Sequence, residues 1–230
     1  MAKITFGALA TDARGKIAGV VYSKNAAGAY IRQKVSPTQA LTPRRGLVHT
    51  RVSNLSKYWS ATLTPAQIVA WNAFAKNNPV TDVFGRAQTL SGIQTFTRLN
   101  SNILNVGGAQ IDDPPASLTI VGITSLTVTA TAGAPDVFSI AFGPSPLAAN
   151  LRLSIMATQP LPGGRTFTKP YLRWLTASAA AQATPFNAAA AYLTKFGAMV
   201  AGNKIGVTAS VVDETTGAMS TGLYQLVTIG

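Results

Sequence analysis

Apolar residues recur at helical spacing between residues 43 and 105 and at every second position in much of the chain beyond residue 117. That change of period predicts a helical part followed by a strand part. The clearest helix lies in residues 62–78. Thr64 can cap it, Pro65 follows at the first helical position, and Gln67 three residues after Thr64 completes a capping box. Ile68, Trp71, Phe74 and Ala75 then share one face, and Asn77-Asn78-Pro79 ends the run. A second helix is expected over roughly 43–61, opened by Thr42-Pro43, with Val48, Val52, Leu55 and Trp59 as its stripe. Arg44, Arg45, Arg51 and Lys57 are assigned to its other face. A third begins at Ser91, with Gln94 as its box partner, carries Ile93, Phe96, Leu99 and Ile103, and stops at Gly107-Gly108. Trp59, Trp71, Phe74 and Phe96 are the expected centre of a small three-helix unit.

The chain before the helices reads as extended. ITFG (4–7) is a short strand. Two β-type runs, KIAGVVYS (16–23) and GAYIRQKV (28–35), flank a loop of about four residues, Lys24 to Ala27. Residues 37–43 are a linker. A two-stranded ribbon has too little apolar surface for a core of its own, so this segment reads as an arm lying on something else. Asp112-Asp113-Pro114-Pro115 marks a boundary that no helix crosses. Beyond it, SLTIVG, SLTVTATA, VFSIAFG, NLRLSIMATQ, KPYLRWLTA, NKIGVTASVVD and GLYQLVTIG are strand candidates. A helix opened by Thr184-Pro185 is expected to bury Phe186, Ala190, Leu193 and Phe196, and Asp213 to Gly217 reads as a tight turn. The expected fold class is therefore α+β. It comprises a β-ribbon arm (1–41), a three-helix domain (42–111) and an antiparallel β-sandwich of immunoglobulin or fibronectin kind with one inserted helix (112–230).

Composition sharpens this picture. At 47% hydrophobic residues the chain can bury a core, but only 11% are charged, about half the usual share. A surface so poor in charge suits contact with other protein or a Thr/Ser-rich β surface. There is no cysteine, so neither a disulfide framework nor a thiolate metal site is available. No apolar leader follows Met1-Ala2-Lys3, and no apolar run is long enough to span a bilayer, so no membrane partner is expected. The net charge of +12 is uneven. Residues 1–60 hold ten Lys and Arg against Asp12 alone, giving +9 there.

No catalytic constellation emerges. His49 is the only histidine and lies mid-helix among cations. Asp112-Asp113 and Asp213-Glu214 are adjacent acids in a linker and a turn, without partners that would separate their proton affinities. Gly107-Gly108 and Leu161 to Arg165 lack the Gly-Lys-Ser/Thr of a phosphate-cradling loop and read as turns. No catalytic, cofactor-binding or metal residue is assigned, and no cofactor is expected. Tyr171, Trp174 and Tyr192 are expected to be buried, which argues against a sugar-binding surface. The basic arm is the candidate partner-binding region: Arg14, Lys16, Tyr22, Lys24, Tyr30, Arg32, Lys34, Arg44, Arg45 and Arg51, with Phe6 nearby. Arginine and tyrosine anchor protein interfaces. Cations with aromatics also suit phosphates and bases, although no nucleic-acid-binding motif accompanies them.

Four motifs stand out together: Arg14-Gly15-Lys16 with Gly19-Val20-Val21-Tyr22-Ser23; Gly28-Ala29-Tyr30-Ile31-Arg32; Leu63-Thr64, Gln67, Trp71-Asn72 and Phe74-Ala75; and Leu90-Ser91-Gly92, Gln94, Phe96 and Leu99-Asn100. As a set, covering roughly residues 1–105, they resemble a family of uncharacterised structural proteins of tailed phages and prophages. The resemblance implies a virion structural component and carries over no catalytic residue. With the low charge, the absence of cysteine and the extended glycine-rich arm, the leading expectation is a multicopy, homo-oligomeric virion protein, made in the host cytoplasm, that binds capsid, portal or neck proteins through its N-terminal arm. The alternative expectation is a DNA-binding or packaging accessory that uses the basic third.

Overall fold

The computed structural model describes residues 2–5, 7, 12–35, 42–82 and 84–230. The chain is α+β, with four α-helices and several antiparallel sheets among the described residues. It divides into two compact units, Met1–Thr97 and Arg98–Gly230, and the division falls within the third helix.

In the first unit, β1 (Ala2–Lys3), β2 (Gly15–Ile17), β3 (Val20–Asn25) and β4 (Gly28–Gln33) form one antiparallel sheet in the order β1-β4-β3-β2. The expected two-stranded ribbon is thus a four-stranded sheet. The run 16–23 is not one strand: it folds back at Ala18-Gly19, where Ala18 takes φ +49°, so that Ile17 pairs with Val20. The first strand lies at Ala2–Lys3 rather than 4–7, although the Ile4 N–H still donates to the Ala29 carbonyl at 3.2 Å. The turn between β3 and β4 is two residues, Ala26-Ala27, not four. The Ala27 N–H donates to Asn25 Oδ1 at 3.0 Å, and Gly28 completes the reversal at φ +106°, a conformation that favours glycine. Phe6 and most of the expected linker lie outside the described residues.

The helices begin where their caps predict. In α1 (Pro43–Ala61) Thr42 Oγ1 accepts the Arg45 N–H at 3.3 Å. In α2 (Pro65–Asn77) Thr64 Oγ1 accepts the Gln67 N–H at 3.3 Å, while the Thr64 N–H donates to Gln67 Oε1 at 3.0 Å. A two-rung hairpin, β5 (Val80–Thr81) with β6 (Ala87–Gln88), leads to α3 (Gly92–Asn105). There the Ser91 N–H donates to Gln94 Oε1 at 2.9 Å. The Gly92 N–H donates to Asn72 Oδ1 at 3.1 Å, so close that a Cβ on residue 92 would stand 2.4 Å from that oxygen. Trp71 and Phe96 are fully buried and meet edge to face, with centroids 5.4 Å apart. Trp59 lies 5.5 Å from Phe96, and Phe74 lies 5.9 Å from Trp71.

The stripe expected on α1 is only partly covered. Leu55 is buried, but Val48 and Val52 are 40% and 44% exposed, and neighbouring Leu47 46%. The arginines assigned to the opposite face are also misplaced. Arg44 precedes Val48 by one helical turn and Arg51 precedes Leu55 by one, so both share the apolar side and are half-buried there.

In the second unit the latter half of α3 is held by its own polar side chains. Asn100, fully buried, accepts the Ile111 N–H at 2.8 Å and donates to the Ile111 carbonyl at 3.1 Å. Asn102 donates to the Gly217 carbonyl at 2.9 Å. The strands are β7 (Ser125–Thr131), β8 (Val137–Gly143), β9 (Leu151–Ala157), β10 (Arg173–Ala177), β11 (Phe186–Asn187), β12 (Lys204–Asp213) and β13 (Leu223–Thr228). They form two antiparallel sheets, β10-β9-β12-β13 and β11-β8-β7. One hydrophobic cluster draws on both, including Phe138, Ile140, Leu153, Ile155, Ile205 and Val207. The sheets meet along β13 and β7: Val128 N–H donates to Gln225 Oε1 at 2.7 Å, and Gly230 N–H to the Ala130 carbonyl at 3.0 Å.

Two expectations fail here. SLTIVG (117–122) forms no strand; Ile120 and neighbouring Ile123 plug the core from an irregular segment instead. The inserted helix, α4 (Ala189–Phe196), starts later than Pro185, and its buried residue is Tyr192 rather than Ala190 or Leu193. The Tyr192 ring packs tilted against Phe138, centroids 4.8 Å apart, and its hydroxyl donates to the Thr158 carbonyl at 3.0 Å. Burial pushes that phenol's pKa up.

Candidate interaction surface

The sheet register distributes the candidate arm residues over two faces. Directly paired residues share a face, and successive residues alternate. Lys16, Val21 and Arg32 pair across three strands, so they lie on one face together with Ser23 and Tyr30. Tyr22, paired with Ile31, and Lys24, paired with Ala29, occupy the other. Lys34 follows the last strand, its N–H donating to the Gly19 carbonyl at 2.7 Å, and Arg14 lies 3.3 Å from Asp12. The ten candidates therefore do not converge on one point: five lie on opposite faces of a small sheet, and three lie on α1.

On α1 the basic and apolar groups mix. Arg44 and Arg51 flank Leu47, Val48 and Val52. Burial lowers the pKa of both guanidinium groups, and the Arg44 charge lowers that of Arg51 further. His49 is exposed on the same helix.

Lys3 ties the arm to the β5–β6 hairpin. Its Nζ donates to Asp82 Oδ2 at 2.8 Å and to Gln88 Oε1 at 2.7 Å. Asp82 also accepts the N–H groups of Arg86 at 3.0 Å and Phe84 at 2.8 Å. The Lys3 hydrogen bond, then the Arg86 N–H, hold its pKa at about 2, against the opposing effect of burial. A groove of about 370 Å³ lies beside this cluster, lined by Lys3, Ala27, Phe84, Arg86 and Gln88 among others. Lysine and aspartate satisfy one another there, which is an anchoring arrangement rather than a reactive one.

The Asp213-Glu214 pair proves to be a turn anchor. Asp213 accepts the Thr215 N–H at 2.8 Å, the Thr215 hydroxyl at 2.7 Å and an Asn150 amide hydrogen at 2.9 Å. Burial raises its pKa, but the Thr215 and Asn150 hydrogen bonds outweigh that and leave it lowered. Glu214 pairs with Arg152. Among the described residues no three His, Asp or Glu side chains gather in a way that could hold a metal ion, and no helix is long and apolar enough to cross a membrane.

One surface escaped the sequence reading. Tyr171, expected to be buried, is 39% exposed, and nearby Phe167 is 70% exposed. The missed signal was an alternation of basic and aromatic residues at positions 165, 167, 169, 171 and 173, overlooked because Leu161 to Arg165 reads as a turn. Comparison with family models, with curated proteins and with solved structures gives no match for this chain.

Proposed function

We propose that the chain is a multicopy structural protein of a tailed-phage virion, docking on capsid, portal or neck proteins through its N-terminal third. The observation that carries this reading is the exposed apolar side of α1, where Leu47, Val48 and Val52 stand beside Arg44 and Arg51. Apolar area left open on a helix surface suits a protein partner that supplies apolar side chains. The low charge content and the resemblance of residues 1–105 point the same way. Within this reading α1, α2 and α3 act as a three-helix unit behind the docking surface. The two sheets of the second unit are read as a sandwich of immunoglobulin or fibronectin kind, supported by the cluster they share.

The test is cofractionation. Particles induced from the host that carries the gene are banded by density, and the chain is quantified against the major capsid protein. Many copies per particle are expected, and Val52→Asp should release them without loss of fold. Recovery solely as a free monomer would overturn the proposal. The packaging alternative requires duplex DNA to bind the basic third, with affinity falling steeply as salt rises. The spread of its cations over two sheet faces and α1 gives that reading less support.

A further inference from the structure

The loop between β9 and β10 holds Arg165, Phe167, Lys169 and Tyr171, and Arg173 opens β10; all five are exposed, while Thr168 among them is 1% exposed. The loop is built, not loose. At its start Leu161, 2% exposed, exchanges backbone hydrogen bonds with Lys204 at 2.7 and 2.9 Å. At its middle the Thr168 hydroxyl bonds to the Tyr224 hydroxyl on β13. Gly206 on β12 makes room for that contact, since a Cβ there would stand 2.7 Å from Thr168 Oγ1. At its end a 3₁₀ turn, Lys169–Tyr171, delivers the chain into β10. Pinning the small threonine inward turns its neighbours outward.

The outward groups are arranged as cations on rings. The Arg165 guanidinium lies 4.8 Å from the Tyr171 ring centroid, and the Lys169 ammonium 5.3 Å from that of Tyr224. Arg173 donates to the carbonyls of Pro170 and Leu172 at 3.2 and 3.0 Å, which fixes its direction. Among the described residues none of the three cations pairs with a carboxylate, and no acid occurs in the sequence between Asp136 and Asp213.

We propose that this loop is a binding site for single-stranded nucleic acid, with Arg165, Lys169 and Arg173 meeting phosphates and Phe167 and Tyr171 stacking on bases. Unpaired cations interleaved with exposed rings are what a flexible polyanion with aromatic bases requires. A duplex hides its base faces and leaves Phe167 without a partner. A lipid surface would call for several apolar side chains side by side, whereas here each ring is separated from the next by a cation. The site lies within the second unit and does not depend on the virion reading.

The test is fluorescence anisotropy of a labelled oligothymidylate with the full chain, beside a duplex of equal length and vesicles containing phosphatidylserine. Phe167→Ala should weaken oligothymidylate binding about tenfold, the scale of one lost base stack. Phe167→Leu should weaken it similarly, because leucine keeps the apolar bulk and loses the flat face. Replacing Arg165, Lys169 and Arg173 together by Ala should reduce the salt slope by about 2, corresponding to roughly a twentyfold smaller loss between about 50 and 200 mM salt. Wild-type affinity in Phe167→Leu, equal affinity for the duplex, or binding to vesicles but not to oligothymidylate would overturn the proposal.

Discussion

Asn100 offers the most direct test of how the second unit is held together. Its side chain is fully buried and bonds Ile111 twice: Oδ1 takes the Ile111 N–H at 2.8 Å, and Nδ2 gives to the Ile111 carbonyl at 3.1 Å. This clamp ties α3 to the chain just before Asp112-Asp113-Pro114-Pro115. Asn100→Ala removes both bonds. A hydrogen bond is worth about 1 kcal/mol net, and a buried group left unpaired costs about 1–3 kcal/mol. Ile111 is half-buried, so water replaces the lost partners only in part, and the expected loss is about 3 kcal/mol. Amide hydrogen exchange reads it directly: the Ile111 N–H should exchange about a hundredfold faster, at roughly 1.4 kcal/mol per tenfold. Asn100→Asp separates the two bonds. The carboxylate keeps the acceptor but faces the Ile111 carbonyl without a donor. Burial raises its pKa above the unfolded value, so the stability it retains is present at low pH, where it is protonated and can donate, and disappears as pH rises through the folded value. A wild-type exchange rate at Ile111 in Asn100→Ala, with a urea midpoint shift worth less than about 0.5 kcal/mol, would refute the clamp.

Other outcomes follow from the same geometry. Gly217 sits at φ +72° with its missing Cβ position 2.5 Å from the Leu99 carbonyl oxygen, so Gly217→Ala should cost about 3 kcal/mol in a urea melt, from strain plus collision. Gly28→Ala, at φ +106° but with open space around it, should cost only the torsional part, about 1–2 kcal/mol; equal losses at the two sites would contradict the steric argument. Asp82, with its pKa held at about 2, stabilises the fold fully above its unfolded value near 4, and this contribution is lost as pH falls from there towards 2. Thermal melts across that window should therefore drop less steeply for Asp82→Asn than for the wild-type chain, the remaining slope belonging to Asp136 and Asp213, whose pKa values are also lowered.

What the sequence determined by itself was local. The three N-terminal helices start at Pro43, Pro65 and Gly92 because a capping residue and its partner three positions on are set by adjacent chemistry, without help from distant residues. Strands β7 and β9 were equally readable, since the alternation of Leu126, Val128 and Ala130 and of Leu151, Leu153 and Ile155 sets which face turns to the core. Where apolar residues were fewer, tertiary structure decided. KIAGVVYS has strand propensity throughout, yet it folds back at Ala18 because pairing Ile17 with Val20 gives the edge a partner. SLTIVG alternates like a strand but finds no neighbour to bond and serves as a plug. On α1, periodicity named Val48 and Val52 as core, but nothing in a periodic pattern states how far a packing partner extends, and cover reaches only Leu55 and, in part, Trp59. Tyr192 and Tyr171 differ for the same reason: one meets Phe138 and the Thr158 carbonyl inside the unit, whereas the other stands on a loop whose anchor, Thr168, reaches a hydroxyl 56 residues away in sequence. Such placements depend on which surfaces meet after folding, and no spacing within a short stretch encodes them.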